Sequence, residues 1–363
     1  MFLLKWINWI RNKFTSARQE DPPPSDTVTV TMETPDMAMR KVRQLLEEVD
    51  LVPTAIDVTL HNNSICIYMG GSIYPGEKVK VKYVDQGDYC AVELDTYTKN
   101  SGERTSKYHQ NFLEVFLNDF SAILQICKPH LRDLKILING SHFHRSTKKP
   151  FWLLGCFRSR SKQGNYSRDP DTTMLQLFKN YQKLMNFFDD HPMTIKKLEI
   201  TVVENSQISK ILSIIKTEEL IVYGTFGGAD SLNFGEIVKL ENWRSIKNLS
   251  ILFIAVVHPI TLFLDKPAVF IGIDSISSDE IRLIVKTFRN NPSMRRWYFW
   301  LRKKTVDVKD LLVREFGQPS QEDRWFFNIP GSEKVVNVSI WSEETIYFDK
   351  LDRDKIPKDV KIY

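Results

Sequence analysis

The chain has 363 residues, of which 42% are hydrophobic and 26% are charged, so it can bury a sizeable core as one large or two medium domains. This composition excludes a disordered or fibrous protein, and the net charge of +5 is too small to indicate nucleic-acid binding by itself. Four cysteines without a Cys-x-x-Cys pair exclude a zinc ribbon or a thioredoxin-type motif, and they favour an intracellular compartment, cytoplasmic or nuclear.

The first predicted element is an amphipathic helix over residues 1–20, followed by a Pro-rich linker over residues 21–35. Large apolar side chains, two tryptophans among them, cover one side of the helix, and basic side chains lie mostly on the other. This pattern is typical of a segment that rests on a membrane surface. We therefore predict a weak membrane or partner contact of residues 1–14, with docking on residues 36–50 as the alternative.

Residues 36–127 are predicted to begin with a packing helix, MAMRKVRQLLEEVD, because its apolar residues recur at three- and four-residue intervals. Partly alternating, β-rich segments between residues 54 and 95 are separated by turn residues and predict a small antiparallel meander. The segment NFLEVFLNDFSAILQIC again has helical periodicity and ends before Pro129. A helix, a meander and a second helix are therefore expected before the next region.

Residues 128–350 show a different pattern, in which short strand candidates alternate with helical ones at periods of roughly 20 to 30 residues. The strand candidates are DLKILIN, KLEITVV, EELIVYG, KNLSILF, AVFIGI and RRWYFWL. The helical candidates are LQLFKNYQKLMNFFDD, SQISKILSIIK, FGEIVKLENWRS and SSDEIRLIVKTFRNN. This α/β pattern favours a leucine-rich-repeat-like strand–helix solenoid with one largely parallel sheet over residues 130–305, and a doubly wound sheet is the alternative.

A basic segment over residues 143–168 interrupts the alternation; it contains no acidic residue and interleaves cations with aromatic side chains. Such a segment can neutralise phosphates and stack bases, so nucleic-acid binding is the alternative function that the sequence supports. A solvated insert is the plainer interpretation. The candidate interaction residues of this segment are Arg145, Lys148, Lys149, Trp152, Arg158, Arg160 and Lys162.

The strand candidate RRWYFWL supplies two further candidate interaction residues. Alternation places Trp297 and Phe299 on one side of the strand and Tyr298 and Trp300 on the other. One side is expected in the core, and the second can form an aromatic anchor for a partner, since Trp and Tyr dominate interface hot spots. Packing of that second side against a C-terminal hairpin is the alternative.

Three short motifs are interpreted as structural. The pair His142 and His144 lacks further ligands at a metal-site spacing, and Asp189-Asp190-His191 is expected to end a helix before Pro192. The glycines from Gly224 to Gly228 lack the Lys-Ser/Thr of a phosphate-binding loop and are expected to form a turn. We therefore predict no enzymatic activity, cofactor, metal or small-molecule substrate.

Two segments of the chain are similar to those of a known family. LENWRSIKNLSI, with Glu241, Trp243, Lys247 and Leu249, and WFFNIPGSEKVVNVSI over residues 325–340 resemble segments of the FTH domain, which follows the F-box in the large nematode F-box-A family. MAMRKVRQLLEEVD resembles the end of the F-box and its exit, and the meander and the helix before HLRDLKILING occupy the place that the family expects.

The resemblance implies a protein-interaction domain that selects the target of a cullin–RING ubiquitin ligase, while the F-box holds the Skp-type linker protein. An F-box has three helices, and residues 1–35 provide one predicted helix and a linker. We therefore expect weak or no binding of a Skp-type linker, and the identity of the target protein is not readable from the sequence.

Overall fold

The computed structural model describes residues 35–48, 51–70, 79–96, 104–138, 170–224, 231–257, 259–302 and 307–363. The predicted helix and linker over residues 1–34 and the basic segment over residues 143–168 lie outside the described residues.

The described residues contain α-helices that alternate with strands over much of the chain. The helices are α1 (Pro35–Glu48), α2 (Phe112–Cys127), α3 (Pro170–Phe187), α4 (Asn205–Ile214), α5 (Ser278–Asn290) and α6 (Val308–Phe316). Short 3-10 helices cover Phe188–Asp190, Ile237–Lys239, Glu241–Ser245, Ile260–Phe263 and Arg353–Lys355. A capping box begins α5, where Ser277 accepts from the Glu280 amide and the Glu280 side chain accepts from the Ser277 amide.

The strands fall into three groups along the chain. The first group is β1 (Ala55–Leu60), β2 (Ser64–Gly70), β3 (Val79–Asp85), β4 (Cys90–Thr96) and β5 (Arg104–Tyr108). The second is β6 (Asp133–Ile138), β7 (Met193–Val202), β8 (Ile215–Gly224), β9 (Ser231–Leu232), β10 (Asn248–Val256), β11 (Ala268–Ile273) and β12 (Arg296–Leu301). The third is β13 (Arg324–Asn328), β14 (Lys334–Ser342) and β15 (Thr345–Asp352).

All these strands join one large sheet, in which the order is β13-β14-β15-β12-β11-β10-β8-β7-β6-β1-β2-β3-β4-β5, with β9 beside β10. The central pairs from β1–β6 to β11–β12 are parallel, and consecutive strands from β6 to β12 are neighbours apart from the short β9. Antiparallel strands flank this centre on both sides, as a meander from β1 to β5 and as β13, β14 and β15 beside β12. The predicted meander and the predicted parallel sheet are thus both observed.

One face of the sheet is buried under the helices. One hydrogen-bonded register crosses β6, β7, β8, β10, β11 and β12, and its members are all buried: Leu134, Leu198, Leu220, Leu249, Val269 and Trp297. The buried residues of α1 to α6 belong to the same continuous hydrophobic cluster. Since each strand–helix unit has one apolar strand face, it can bury that face beside its neighbours under a common layer of helices.

One predicted helix, FGEIVKLENWRS, is wrong in type, because two 3-10 helices occupy it. Leu240 between them has an extended backbone, with φ −68° and ψ 141°. The Asn242 amide donates to the Leu212 carbonyl, and the Ser245 hydroxyl donates to the Thr217 carbonyl. These side-chain bonds attach the segment to the preceding strand–helix unit, while the extended Leu240 interrupts the helical hydrogen-bond ladder.

The described cysteines are packed as small apolar residues. Cys66, Cys90 and Cys127 are buried and free. Burial raises the pKa of the Cys90 thiol and of the Cys127 thiol to about 12. A thiol with so high a pKa stays protonated and is a poor nucleophile at neutral pH.

Candidate interaction surface on the open face of the sheet

The second face of the sheet carries side chains that alternate with the buried ones and remain half-buried or exposed. In register across β7, β8, β10, β11, β12 and β15 it presents Glu199, Ile221, Ser250, Phe270, Tyr298 and Tyr347. The charged residue of this row, Glu199, lies on β7, and the aromatic residues lie on β11, β12 and β15. We call this side of the molecule the open face.

Aromatic side chains cluster on the open face at its β10 to β15 end. The aromatic surface consists of Phe253, Phe270, Tyr298, Trp300, Trp341 and Tyr347. Four of these side chains are exposed, with relative exposures of 47% for Phe253, 37% for Phe270, 41% for Trp300 and 68% for Trp341. Among the described residues, every exposed large aromatic hydrophobic side chain belongs to this surface. Exposed apolar side chains that gather in one place mark an interaction site more often than scattered ones do.

Ring contacts hold the aromatic surface together. The ring of Tyr298 stacks on Phe270 with centroids 4.2 Å apart and planes 2° from parallel. Trp341 meets Tyr298 edge-on at 6.3 Å and lies 5.4 Å from the ring of Tyr347. Because the rings support one another on a sheet, they form a preorganised surface that loses little side-chain entropy when a partner binds.

Phe253 enters this surface through an irregularity of β10. The pairing of β10 with β11 shifts register between Ile251 and Ala255, and Phe253 within that bulge has φ 67°. A non-glycine residue at positive φ is strained by roughly 1 kcal/mol, most of all when its side chain is bulky. The bulge turns the exposed Phe253 ring onto the open face, where it stacks 6.4 Å from Tyr223. Strain that holds an aromatic side chain in solvent is a sign of a binding role.

Gly272 lies against the Trp300 ring. A Cβ atom at Gly272 would lie 3.4 Å from the Trp300 ring and 3.4 Å from the Ile254 carbonyl oxygen, so the indole lies close to the glycine backbone. The Trp300 indole and the Ile254 carbonyl of the β10 bulge therefore lie beside the same glycine.

The other half of the open face is polar and centres on Glu199. Its carboxylate accepts from Lys197 at 2.6 Å, from Lys135 at 3.0 Å and from the Tyr223 hydroxyl at 3.1 Å. Burial acts to raise the pKa of Glu199, but the hydrogen bonds and charges of the two lysines outweigh it and lower the pKa below its ordinary value. A shallow pocket of about 200 Å3 lies beside this cluster, and Asp57 and Asp133 also line it. Three carboxylates and two lysines are mixed here, which suits orientation of a partner more than capture of one ion.

Asp349 on β15 lies in the same face next to the aromatic surface. It accepts a hydrogen bond of 2.8 Å from the Asn337 amide nitrogen, while the buried Asn337 Oδ1 has no hydrogen-bond partner among the described residues. Burial raises the pKa of Asp349, and the hydrogen bond from Asn337 and the charge of Arg324 counteract this in part. The charged carboxylate is therefore a source of instability at neutral pH.

Replacement of this carboxylate should stabilise the protein. Asp349→Asn keeps the shape, removes the buried charge and supplies an amide donor for Asn337 Oδ1, so we expect the free energy of unfolding at pH 7 to rise by about 1 kcal/mol. An acid with a raised folded pKa contributes stability below its unfolded pKa of 3.8 and loses that contribution as pH rises through the folded value. The gain should therefore shrink as the pH falls toward 3.8 in denaturant titrations.

Asp352 on the same strand is the matched control for this substitution. The hydrogen bond and the charge of Lys355 lower the pKa of Asp352, which is exposed. Asp352→Asn should therefore bring no gain in stability. An equal gain from both substitutions would contradict the role assigned to the buried charge.

The structure places two of the sequence-predicted interaction residues together. Tyr298 and Trp300 lie on the open face, whereas Trp297 and Phe299 are fully buried on the other, as the alternation predicts. Arg145, Lys148, Lys149, Trp152, Arg158, Arg160 and Lys162 lie outside the described residues, as do His142 and His144. The sequence reasoning missed Phe270, Trp341 and Tyr347, whose contacts with Tyr298 depend on strand register, and it missed Phe253, which depends on the β10 bulge.

A hydroxyl–imidazole pair was also missed. Ser121 Oγ lies 3.2 Å from His191 Nε2, and His191 Nδ1 lies 2.8 Å from the Phe187 carbonyl oxygen. The His191 ring stacks on Phe187 at 4.0 Å, and Asp189 and Asp190 end a 3-10 helix, as expected for a helix terminus. The pocket beside Glu199 is not lined by Ser121 or His191, so the pair is interpreted as packing.

Gly224 ends β8, and the remainder of the predicted glycine turn, residues 225–228, lies outside the described residues. Among the described residues no group of three or more His, Cys, Asp or Glu side chains is placed to hold a metal ion. The described helices are all too short or too polar to cross a bilayer.

Fold and surface together define a mixed α/β protein with a large sheet, helices over one face and an aromatic surface on the other. Comparison with protein families finds the FTH domain over residues 178–317, from α3 to the end of α6. The FTH domain is a domain of unknown function that is usually linked to F-box proteins. No curated protein and no solved structure matches the chain.

Three residues of the segment that resembles the FTH domain can be located in the structure. Trp243 is buried beside Phe234 and Phe263, and Leu249 is buried on β10. Lys247 forms an exposed ion pair with Glu218. Trp243 and Leu249 therefore contribute to the helix-covered face, and the family match over residues 178–317 does not identify the partner of the open face.

Proposed function

We propose that this chain is a non-enzymatic protein-binding module that holds a target protein on its aromatic surface. The observation that carries the proposal is the stacked and exposed set of rings around Tyr298, with Phe253 added to it at the cost of a strained backbone. Large aromatic side chains in one preorganised patch are the usual anchors of protein interfaces. The charged cluster at Glu199 continues the same face and supplies polar contacts around the anchors.

The proposal extends to a role as target-recognition part of a cullin–RING ubiquitin ligase adaptor. Its support is the FTH domain at residues 178–317, a domain usually linked to F-box proteins. The parallel strands from β6 to β12 lie side by side in chain order, apart from the short β9, and the order does not reverse as it does in a doubly wound sheet. This supports a leucine-rich-repeat-like solenoid, a class that uses one extended sheet face for binding. In this role a Skp-type linker binds weakly or not at all, and nucleic-acid binding through residues 143–168 is the competing proposal.

The test is quantitative affinity capture with the full chain and variants of the open face. Trp300→Ala and Tyr298→Ala should each reduce capture of the specific partner at least about tenfold, since hot-spot residues contribute 2 kcal/mol or more. Phe253→Gly should also reduce capture. It should leave the melting temperature unchanged or higher, because glycine adopts a positive φ without strain.

The matched control is Tyr89→Ala, which removes a half-buried aromatic ring near the β3–β4 turn, at the other end of the sheet. Its capture of the partner should equal that of the wild type. Unchanged capture by the Trp300 and Tyr298 variants would overturn the proposal. Recovery of RNA with a steep salt dependence would instead favour the basic segment.

A further inference from the structure

A second cavity lies on the helix-covered side of the sheet, far from the aromatic surface in strand order. Its volume is about 190 Å3, and it lies between α1, α2 and strands β2 to β5. Apolar side chains form most of its wall, among them Leu45, Met69, Val81, Leu94 and Ile123. An apolar cavity of about 150 Å3 is large enough to bind benzene, so this cavity can hold a single aromatic ring with a substituent.

One wall of the cavity contains a buried carboxylate with unused hydrogen-bonding capacity. The Asp119 side chain is 1% exposed. Its Oδ2 accepts from Lys41 Nζ at 2.9 Å and from the Tyr83 hydroxyl at 2.7 Å. Its Oδ1 is buried and has no hydrogen-bond partner among the described residues. A buried carboxylate oxygen without a donor is costly, and a ligand that supplies the donor recovers that cost.

The charges around Asp119 indicate which donor fits. Lys41 already balances the carboxylate charge, and its ammonium is 2.9 Å from Oδ2. A cationic ligand would bring a second positive charge close to Lys41 in a partly desolvated place, which is unfavourable. A neutral hydroxyl or N–H group satisfies Oδ1 without that repulsion.

We propose that this cavity binds a small, neutral, largely apolar molecule with one hydroxyl or N–H donor, of about the size of a phenol or an indole. The donor bonds to Asp119 Oδ1, and the ring packs among the apolar side chains of β2, β3 and β4. Because Lys41 and Leu45 of α1 form part of the wall, the ligand joins α1 to the meander and fixes that helix on the sheet.

The experiment titrates the full chain with p-cresol and with p-xylene, which replaces the hydroxyl by a methyl group. Binding is followed by isothermal calorimetry and by thermal melting. We expect p-cresol to bind at least about tenfold more tightly than p-xylene, because a site with an unpaired polar group rejects a ligand that lacks the matching group. The melting temperature should rise with p-cresol concentration.

Val81→Phe, which fills the cavity, should reduce p-cresol binding at least about tenfold while the far-ultraviolet circular dichroism spectrum stays unchanged. Lys80→Phe is the matched control, since Lys80 precedes Val81 on β3 and lies on the opposite face, so p-cresol binding should persist. If Val81→Phe does not fold, Leu94→Phe at the half-buried edge of the cavity replaces it. Equal affinity for the two probes, absence of binding at millimolar concentration, or retained binding in the filled variant would overturn the proposal.

Discussion

Gly224→Ala is expected to lower the free energy of unfolding by about 2–3 kcal/mol, because the added methyl group has no space. A Cβ atom at Gly224 would lie 2.6 Å from Ile254 Cβ and 3.0 Å from Ile254 Cγ2. Ile254 is buried and branched at Cβ, so rotation about its side-chain bonds cannot move Cβ away. The backbone of the β10 bulge would have to shift, although alanine is otherwise favoured over glycine in a strand by roughly 0.5–1 kcal/mol.

Gly272→Ala is the matched control, because Gly272 approaches the same residue from β11. A Cβ atom there would lie no closer than 3.4 Å to its neighbours, which is ordinary van der Waals contact. Denaturant unfolding of both variants should show a large loss for Gly224→Ala and a small change for Gly272→Ala. If Gly224→Ala matches the wild type in stability, the close approach of the bulge to β8 is incorrect.

Lys266→Ala is expected to cost about 3–4 kcal/mol, comparable to truncation of a large core side chain. The Lys266 side chain is fully buried although its neighbour Asp265 is exposed. Its ammonium donates to the Trp243 carbonyl at 2.8 Å and to Asp265 at 2.8 Å, and lies 4.6 Å from the centre of the Trp243 ring. The Lys266 carbonyl accepts from the Trp297 indole at 2.9 Å, so this residue connects the 3-10 helix at Trp243 to β12.

Lys266→Met separates packing from hydrogen bonding. Methionine fills most of the volume and leaves the Trp243 carbonyl without this donor, so the loss should be about 1–2 kcal/mol. Lys247→Ala is the surface control, because Lys247 forms an exposed ion pair with Glu218 and should cost less than about 1 kcal/mol. Chemical denaturation measures all three variants. An equal loss for the alanine variants at positions 266 and 247 would contradict the buried role of Lys266.

The pH dependence provides a second measurement on Lys266. Burial lowers its pKa, and the hydrogen bond and the charge of Asp265 oppose this in part. Between the lowered folded pKa and the ordinary value of 10.5 the unfolded chain binds more protons, so stability from this group rises with pH. The stability difference between wild type and Lys266→Met should therefore increase as the pH approaches 10.5.

Much of the sheet could be predicted because its signals are local. The alternation of KLEITVV and the short apolar run AVFIGI predict strands, and three- and four-residue periodicity in SSDEIRLIVKTFRNN predicts α5. The same alternation assigned Tyr298 and Trp300 correctly to the face opposite Trp297. Local pattern decides which side of its own strand a residue faces.

The composition of the aromatic surface could not be predicted, because it depends on pairing between distant segments. Phe270 meets Tyr298 through the β11–β12 register, and Trp341 reaches Tyr298 after a further strand pair and a register shift in β14. Phe253 faces outward because of a bulge that KNLSILF does not reveal. The cavity beside Asp119 likewise needs α1 and α2 to meet over the meander, which no short segment encodes.

The order of the parallel strands also bears on how the chain folds. From β6 to β12, strands join neighbours that follow closely in sequence, apart from the long connection before β7, so successive short loops can close one after another. The pairing of β1 with β6 instead closes a loop that contains the entire meander and α2. On its outer side β12 pairs with β15 and not with β13, the next strand in the chain. Repeated units with nearest-neighbour contacts can nucleate at several places. Assembly of this sheet can therefore start both in the central units and in the hairpins of the two antiparallel ends, whereas the pairings β1–β6 and β12–β15, which close the larger loops, should form later.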